Sequence, residues 1–121
     1  MASYRELIVW QTAMRLVPQV YVIAARLPVE ERYALGNQLR RAVVSIPANI
    51  AEGQGRQHRR EFAQALAIAR GSLAEVDTLL LLAVSLGYVT ERDIKTAQSL
   101  SFSVRKLLQR LIYRIRADSG P

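Results

Sequence analysis

With 121 residues, half of them hydrophobic, the chain can form one domain with its own core and is too apolar for a disordered polymer. It carries no cysteine, which excludes disulfides and thiolate-bound metal and is compatible with a reducing compartment. The formal net charge is +7, and 15 of the 17 cations are arginine. That balance fits a polyanionic partner such as nucleic acid or an anionic membrane surface, or else serves solubility alone.

Met1–Trp10 contains Arg5 and Glu6 and lacks the uninterrupted apolar core of a signal peptide. The longest aliphatic run, Leu79–Val84, falls far short of the ~20 residues that span a bilayer. A soluble, cytoplasmic protein is expected.

A first helix is predicted over about residues 4–26. Leu7, Trp10, Met14, Val17, Tyr21 and Ala24 alternate steps of three and four, which places them on one stripe. Ser3 is the expected N-cap and Glu6 completes a capping box. Pro18 should kink the helix, and the Leu27-Pro28 step should end it. The second helix, about 30–52, opens with Glu30 and Glu31, where the helix dipole favours acids. Its stripe is Leu35, Leu39, Ala42, Ile46 and Ile50. Pro47 interrupts it. Because the stripe keeps phase through the proline, a bent continuous helix is expected, with the freed carbonyl near Val43 met by Ser45, Asn49 or water. A break at Ser45 with Pro47 opening a new helix is the other possibility. Gly53 and Gly55 read as a left-handed C-cap.

The third helix is the longest, about 57–86, with Phe62, Leu66, Ala69, Leu73, Val76, Leu80 and Ala83 as its stripe. Gly71-Ser72 in its middle costs about 1 kcal/mol relative to alanine and points to a backbone packed close by. Gly87 ends it. The fourth, about 91–116, starts at Thr90 with Asp93 as an acidic capping-box partner. It repeats Ile94, Ala97, Ser101, Val104, Leu108, Leu111 and Ile115 at heptad spacing. Arg105, Lys106, Arg110, Arg114 and Arg116 suit the negative end of its dipole. Asp118–Pro121 is expected to fray. Four such segments with short turns make an all-α, antiparallel up-down four-helix bundle, and no strand pattern competes.

Catalytic constellations are hard to assemble. His58 is the sole histidine, which leaves a bundle metal site without its paired Glu-x-x-His motifs and a Ser-His-Asp triad without an oxyanion loop. Glu75 and Asp77 point to different faces. Gly53-x-Gly55 follows a helix and lacks the lysine-serine element of a phosphate loop. No enzyme, cofactor, metal or small-molecule substrate is expected. Arg40 and Arg41 on the second helix, with Arg56, Arg59 and Arg60 at the start of the third, carry the planar fork that suits phosphate. Two readings stand level: a nucleic-acid backbone site, RNA or DNA, or an ion-pair network with Glu52, Glu61 and acids of a neighbouring chain. The aromatics are scattered at helical spacing and do not read as a base-stacking platform.

One stripe per helix fills a four-helix bundle, and this chain has more: Ile8, Val9, Val20, Val22 and Ile23 on the first helix, Val43 and Val44 on the second, Leu79, Leu81, Leu82 and Val84 on the third, and Leu100, Phe102, Leu107 and Ile112 on the fourth. Such a surplus predicts burial against identical subunits. A protein-interaction scaffold without a nucleic-acid role is the alternative function.

Leu7-Ile8-Val9-Trp10-Gln11, Gln38-Leu39-Arg40-Arg41-Ala42, Ser45-Ile46-Pro47-Ala48-Asn49-Ile50-Ala51-Glu52-Gly53 and Ala69-Arg70-Gly71-Ser72-Leu73-Ala74-Glu75 together resemble the bacterial family of 23S rRNA intervening-sequence proteins. The likeness runs over nearly the whole chain. It implies an up-down four-helix bundle, with homopentamers among relatives, and it brings no catalytic residues to carry over. The accessory variability determinant of diversity-generating retroelements is similar in fold. It is a basic pentamer that works with a reverse transcriptase, which by analogy implies a non-catalytic, nucleic-acid-binding homo-oligomer here.

Overall fold

The computed structural model describes residues 3–118. Four helices, α1 (Ile8–Ala25), α2 (Leu35–Gly55), α3 (Arg59–Ser85) and α4 (Glu91–Asp118), are preceded or joined by 3-10 turns at Tyr4–Glu6 and Val29–Glu31. Ser3 therefore caps the first of these turns and not α1, and Glu30 and Glu31 lie in the second and not in the first turn of α2. No strand occurs among the described residues. Each helix packs against two others in the ring α1-α2-α3-α4, and neither diagonal pair brings its backbones together, so the chain forms the expected up-down bundle. Consequently α2 and α4 occupy opposite corners. Of the tail expected to fray, only Asp118 lies within the described residues, and it closes α4.

The stripes of α2, α3 and α4 face inward as their spacing requires. Leu39, Ile46, Ile50, Leu66, Leu73, Leu80, Ile94 and Leu108 are fully buried. The first helix differs by roughly a quarter turn. Its interior is Val9, Ala13, Leu16, Val20 and Ile23, while Met14 and Tyr21 of the expected stripe are exposed and Trp10 and Val17 are half-buried. The apolar arc of α1 is wide enough to hold two stripes. The compact aliphatic one fits against the two neighbouring helices α2 and α4, whereas Trp10 and Tyr21 keep their polar atoms near water.

Both prolines lie inside unbroken helices. Around Pro47 the Ser45 hydroxyl donates to the Ala42 carbonyl at 2.7 Å, and the Asn49 amide donates to the Ser45 carbonyl at 2.8 Å. These side chains therefore serve neighbouring carbonyls rather than that of Val43.

The glycines correct the sequence reading. Gly53 is helical and buried, and a Cβ there would stand 2.5 Å from the Ala65 Cβ, so its role is to let α2 and α3 meet closely. The left-handed residue of that turn is Gln57, at φ 63°. Gly71 has open space where its side chain would be, so no backbone of this subunit explains it. Gly87, at φ 78°, does end α3 by a left-handed turn.

Candidate nucleic-acid interface

The antiparallel order gathers the α2–α3 turn, the start of α1 and the end of α4 at one pole. The α1–α2 and α3–α4 connections lie at the other. At the second pole Arg26, Glu31, Tyr88, Thr90 and Asp93 are engaged with one another in pairs. Arg26 pairs with Asp93 at 2.7 Å. Thr90 N donates to Asp93 Oδ2 at 2.9 Å while Asp93 N donates to the Thr90 hydroxyl at 3.2 Å, a reciprocal box that starts α4. The backbone bond from Thr90, then its side chain and the Arg26 charge, hold the Asp93 carboxyl below its ordinary range. The Tyr88 hydroxyl donates to Glu31 Oε2 at 2.8 Å. That bond, with burial and the Glu31 and Glu30 charges, pushes the phenol upward.

The five arginines read from the sequence fall into two groups. Arg40 is half-buried and donates to the Arg32 carbonyl at 2.8 Å and to Asn37 Oδ1 at 3.4 Å, which ties α2 to the preceding turn. Arg41 is exposed beside a shallow hollow of about 450 Å³ shared with Tyr21, Asn37 and Val44. Fifteen residues, about 22 Å of helix, separate it from Arg56. At the turn pole Arg56 pairs with Glu52 at 3.2 Å and lies 4.0 Å from Glu61, as the ion-pair reading expected. Arg59 donates to the Asp118 carbonyl, which locks the start of α3 to the last turn of α4. Arg60 is exposed.

The contact from Arg59 to Asp118 brings the turn-pole arginines next to a surface that the sequence reading assigned to the helix dipole alone. From Ile94 to Ala117, α4 contains Lys95, Arg105, Lys106, Arg110, Arg114 and Arg116 and no acid. Asp77 of α3 takes Arg105 out of that set: its two oxygens accept from Arg105 and from the buried Ser101 hydroxyl, each at 2.5 Å. The other cations are exposed. Phe102 and Tyr113 stand among them, 55% and 77% exposed, with the Lys106 ammonium 5.4 Å from the Phe102 ring centre. Gln109, Arg110, Tyr113 and Arg114 frame a shallow hollow of about 460 Å³. The missed signal was present in the sequence as a charge run with no compensating acid.

Among the described residues, no three His, Asp or Glu side chains gather in a way that could hold a metal ion, and no helix is long and apolar enough to cross a membrane. His58 is exposed at the head of α3, and its side chain does not cap the helix.

The chain is similar to a crystal structure of a protein of unknown function from the S23 ribosomal protein family of Bacteroides thetaiotaomicron VPI-5482. The TM-score is 0.79 at 26% identity, over 87% of this chain and 98% of that one. No curated protein matches it. The family model for the 23S rRNA-intervening sequence protein matches residues 5–110. On that match, which takes in α1, α2, α3 and α4 as far as Arg110, the chain belongs to the 23S rRNA-intervening sequence protein family.

Proposed function

We propose that this chain is a non-catalytic, cytoplasmic, homo-oligomeric bundle that binds the phosphate backbone of RNA or DNA. The observation that carries this reading is the acid-free run of α4, which ends at Asp118 against Arg59. Cations without neighbouring carboxylates are free to replace the counterions of a polyanion, and arginine does so with paired donors. Arg60 belongs to this surface together with Lys106, Arg110 and Arg116, while Arg56 and Arg59, partly engaged by Glu52 and by the Asp118 carbonyl, lie at its edge. Arg41 is an outlying contact. Arg40, engaged by the Arg32 carbonyl, contributes least.

Self-association is supported by the displaced stripe of α1. Met14, Tyr21 and, on α2, Val44 are each more than 40% exposed beside the half-buried Trp10 and Val17. A patch of that kind is covered at little cost by another copy of itself, and a ring of five is what the family likeness implies. The same patch favours the second reading, a protein scaffold whose charge serves solubility alone.

Anisotropy titrations with labelled RNA and duplex DNA separate the two. Backbone binding predicts log affinity falling linearly with log salt. Absence of binding at ~50 mM salt, where such contacts are strong, leaves the scaffold. Light scattering on the purified protein reads the copy number, and a monomer at high concentration overturns the oligomer.

A further inference from the structure

We infer that the outer face of α4 is a track for unpaired nucleotides, with Phe102 and Tyr113 stacking bases and Lys106 and Arg116 holding phosphates. This rests on the nucleic-acid reading above and narrows it to single strands. Phe102, Lys106, Gln109, Tyr113 and Arg116 step by four, three, four and three, so they form one exposed stripe on the side of α4 away from the core. Ring, cation, amide, ring and cation follow one another along it. An exposed ring beside a cation offers a base a π face and its phosphate a counter-charge, which is what sequence-tolerant single-strand binding uses. In a duplex the π faces of the bases are occupied by their neighbours, so the rings gain nothing there.

The two rings are eleven residues apart, about 16 Å along the helix. Stacked bases repeat at about 3.4 Å, so the rings address two bases separated by several nucleotides. An acidic lipid surface also attracts cations and aromatics. However, an interfacial helix needs a continuous apolar face, and here Ser99, Ser103 and Gln109 interrupt the exposed side. Arg114 is left out of the track because it shares its hollow with Glu6. Since α2 lies at the opposite corner, a subunit contact on the α1–α2 flank leaves this face open.

The test compares a labelled ~12-nucleotide oligouridylate, a size within the usual site range, with an RNA duplex of equal length, using the full chain. Tyr113→Leu and Phe102→Leu are expected to weaken the oligouridylate by about 5- to 150-fold each. Duplex affinity and salt slope should stay the same, and Tyr113→Phe should restore tight binding. Lys106→Gln is expected to lower the salt slope by about one contact for the single strand. Circular dichroism checks that these exposed substitutions leave the bundle folded. Equal losses on both nucleic acids, or no loss with Tyr113→Leu, overturn the stacking track while leaving backbone binding in place. No binding of either nucleic acid at ~50 mM salt removes the underlying reading itself. Binding to phosphatidylserine vesicles without binding to oligouridylate overturns the track in favour of a membrane surface.

Discussion

The two poles of the bundle use similar side chains to opposite ends. At the connection pole Arg26, Glu31, Tyr88, Thr90 and Asp93 spend their polar atoms on one another, and the reward is a fixed geometry for two loops. At the turn pole Arg56 and Arg59 are partly engaged, Arg60 is exposed, and Arg110, Arg114 and Arg116 of α4 face water with no acid between Ile94 and Ala117. The lesson is that arginine count says little about binding until its partners are known. An arginine facing a carbonyl or carboxylate of its own chain is structure, and one facing solvent among other cations is available to a partner.

The contrast can be tested from the strongest effect downward. Gly53→Ala places a Cβ 2.5 Å from the Ala65 Cβ, so α2 and α3 must separate. A loss of about 1–3 kcal/mol in urea unfolding is expected, despite the better helix former. A neutral result would mean that the two helices do not need that close approach. Asp93→Ala removes the capping box and the Arg26 pair, and should lower the melting temperature. Arg60→Gln at the other pole should change stability by no more than about 0.5 kcal/mol while weakening nucleic-acid binding. Similar thermal shifts for both variants would erase the distinction between the poles.

Acid and alkali provide a subtler probe of the connection pole. The Asp93 carboxyl titrates below its unfolded value of about 3.9. Its contribution is thus complete above that pH and is lost as pH falls through the lowered folded value. Asp93→Asn should flatten the acid limb of the stability curve. The Tyr88 phenol is raised, so its contribution is complete below about 10 and is lost as pH rises through the folded value. Tyr88→Phe should flatten the alkaline limb. Unchanged limbs would show that these bonds do not bias the folded state. Gly71→Ala is the one change expected to stabilise, with open space around the added methyl and a gain of about 0.5–1 kcal/mol in thermal unfolding of the subunit. A loss in the oligomer would place Gly71 at a subunit contact.

Much of the fold was legible beforehand. The stripes of α2, α3 and α4, the box at Thr90 and Asp93 and the stop at Gly87 all follow from side-chain spacing and local backbone preference. The candidate site was less so. The distance of Arg40 and Arg41 from Arg56, Arg59 and Arg60 follows from helical rise alone, about 22 Å over the residues between Arg41 and Arg56, but the engagement of Arg40 by the Arg32 carbonyl does not. The cations of α4 looked like dipole partners because nothing local reveals that Asp118 ends beside Arg59. Likewise, the pairing of Arg105 with Asp77 spans two helices.

What the amino-acid order determined by itself was four amphipathic helices, their reversals and a surplus of cations and apolar surface, because these depend on residues within a few turns of one another. Only tertiary structure decided which flank of α1 is interior, why Gly53 lacks a side chain and which arginines remain exposed. Each of those depends on what a neighbouring helix presents at the same level, and periodicity along one helix carries no information about its neighbour.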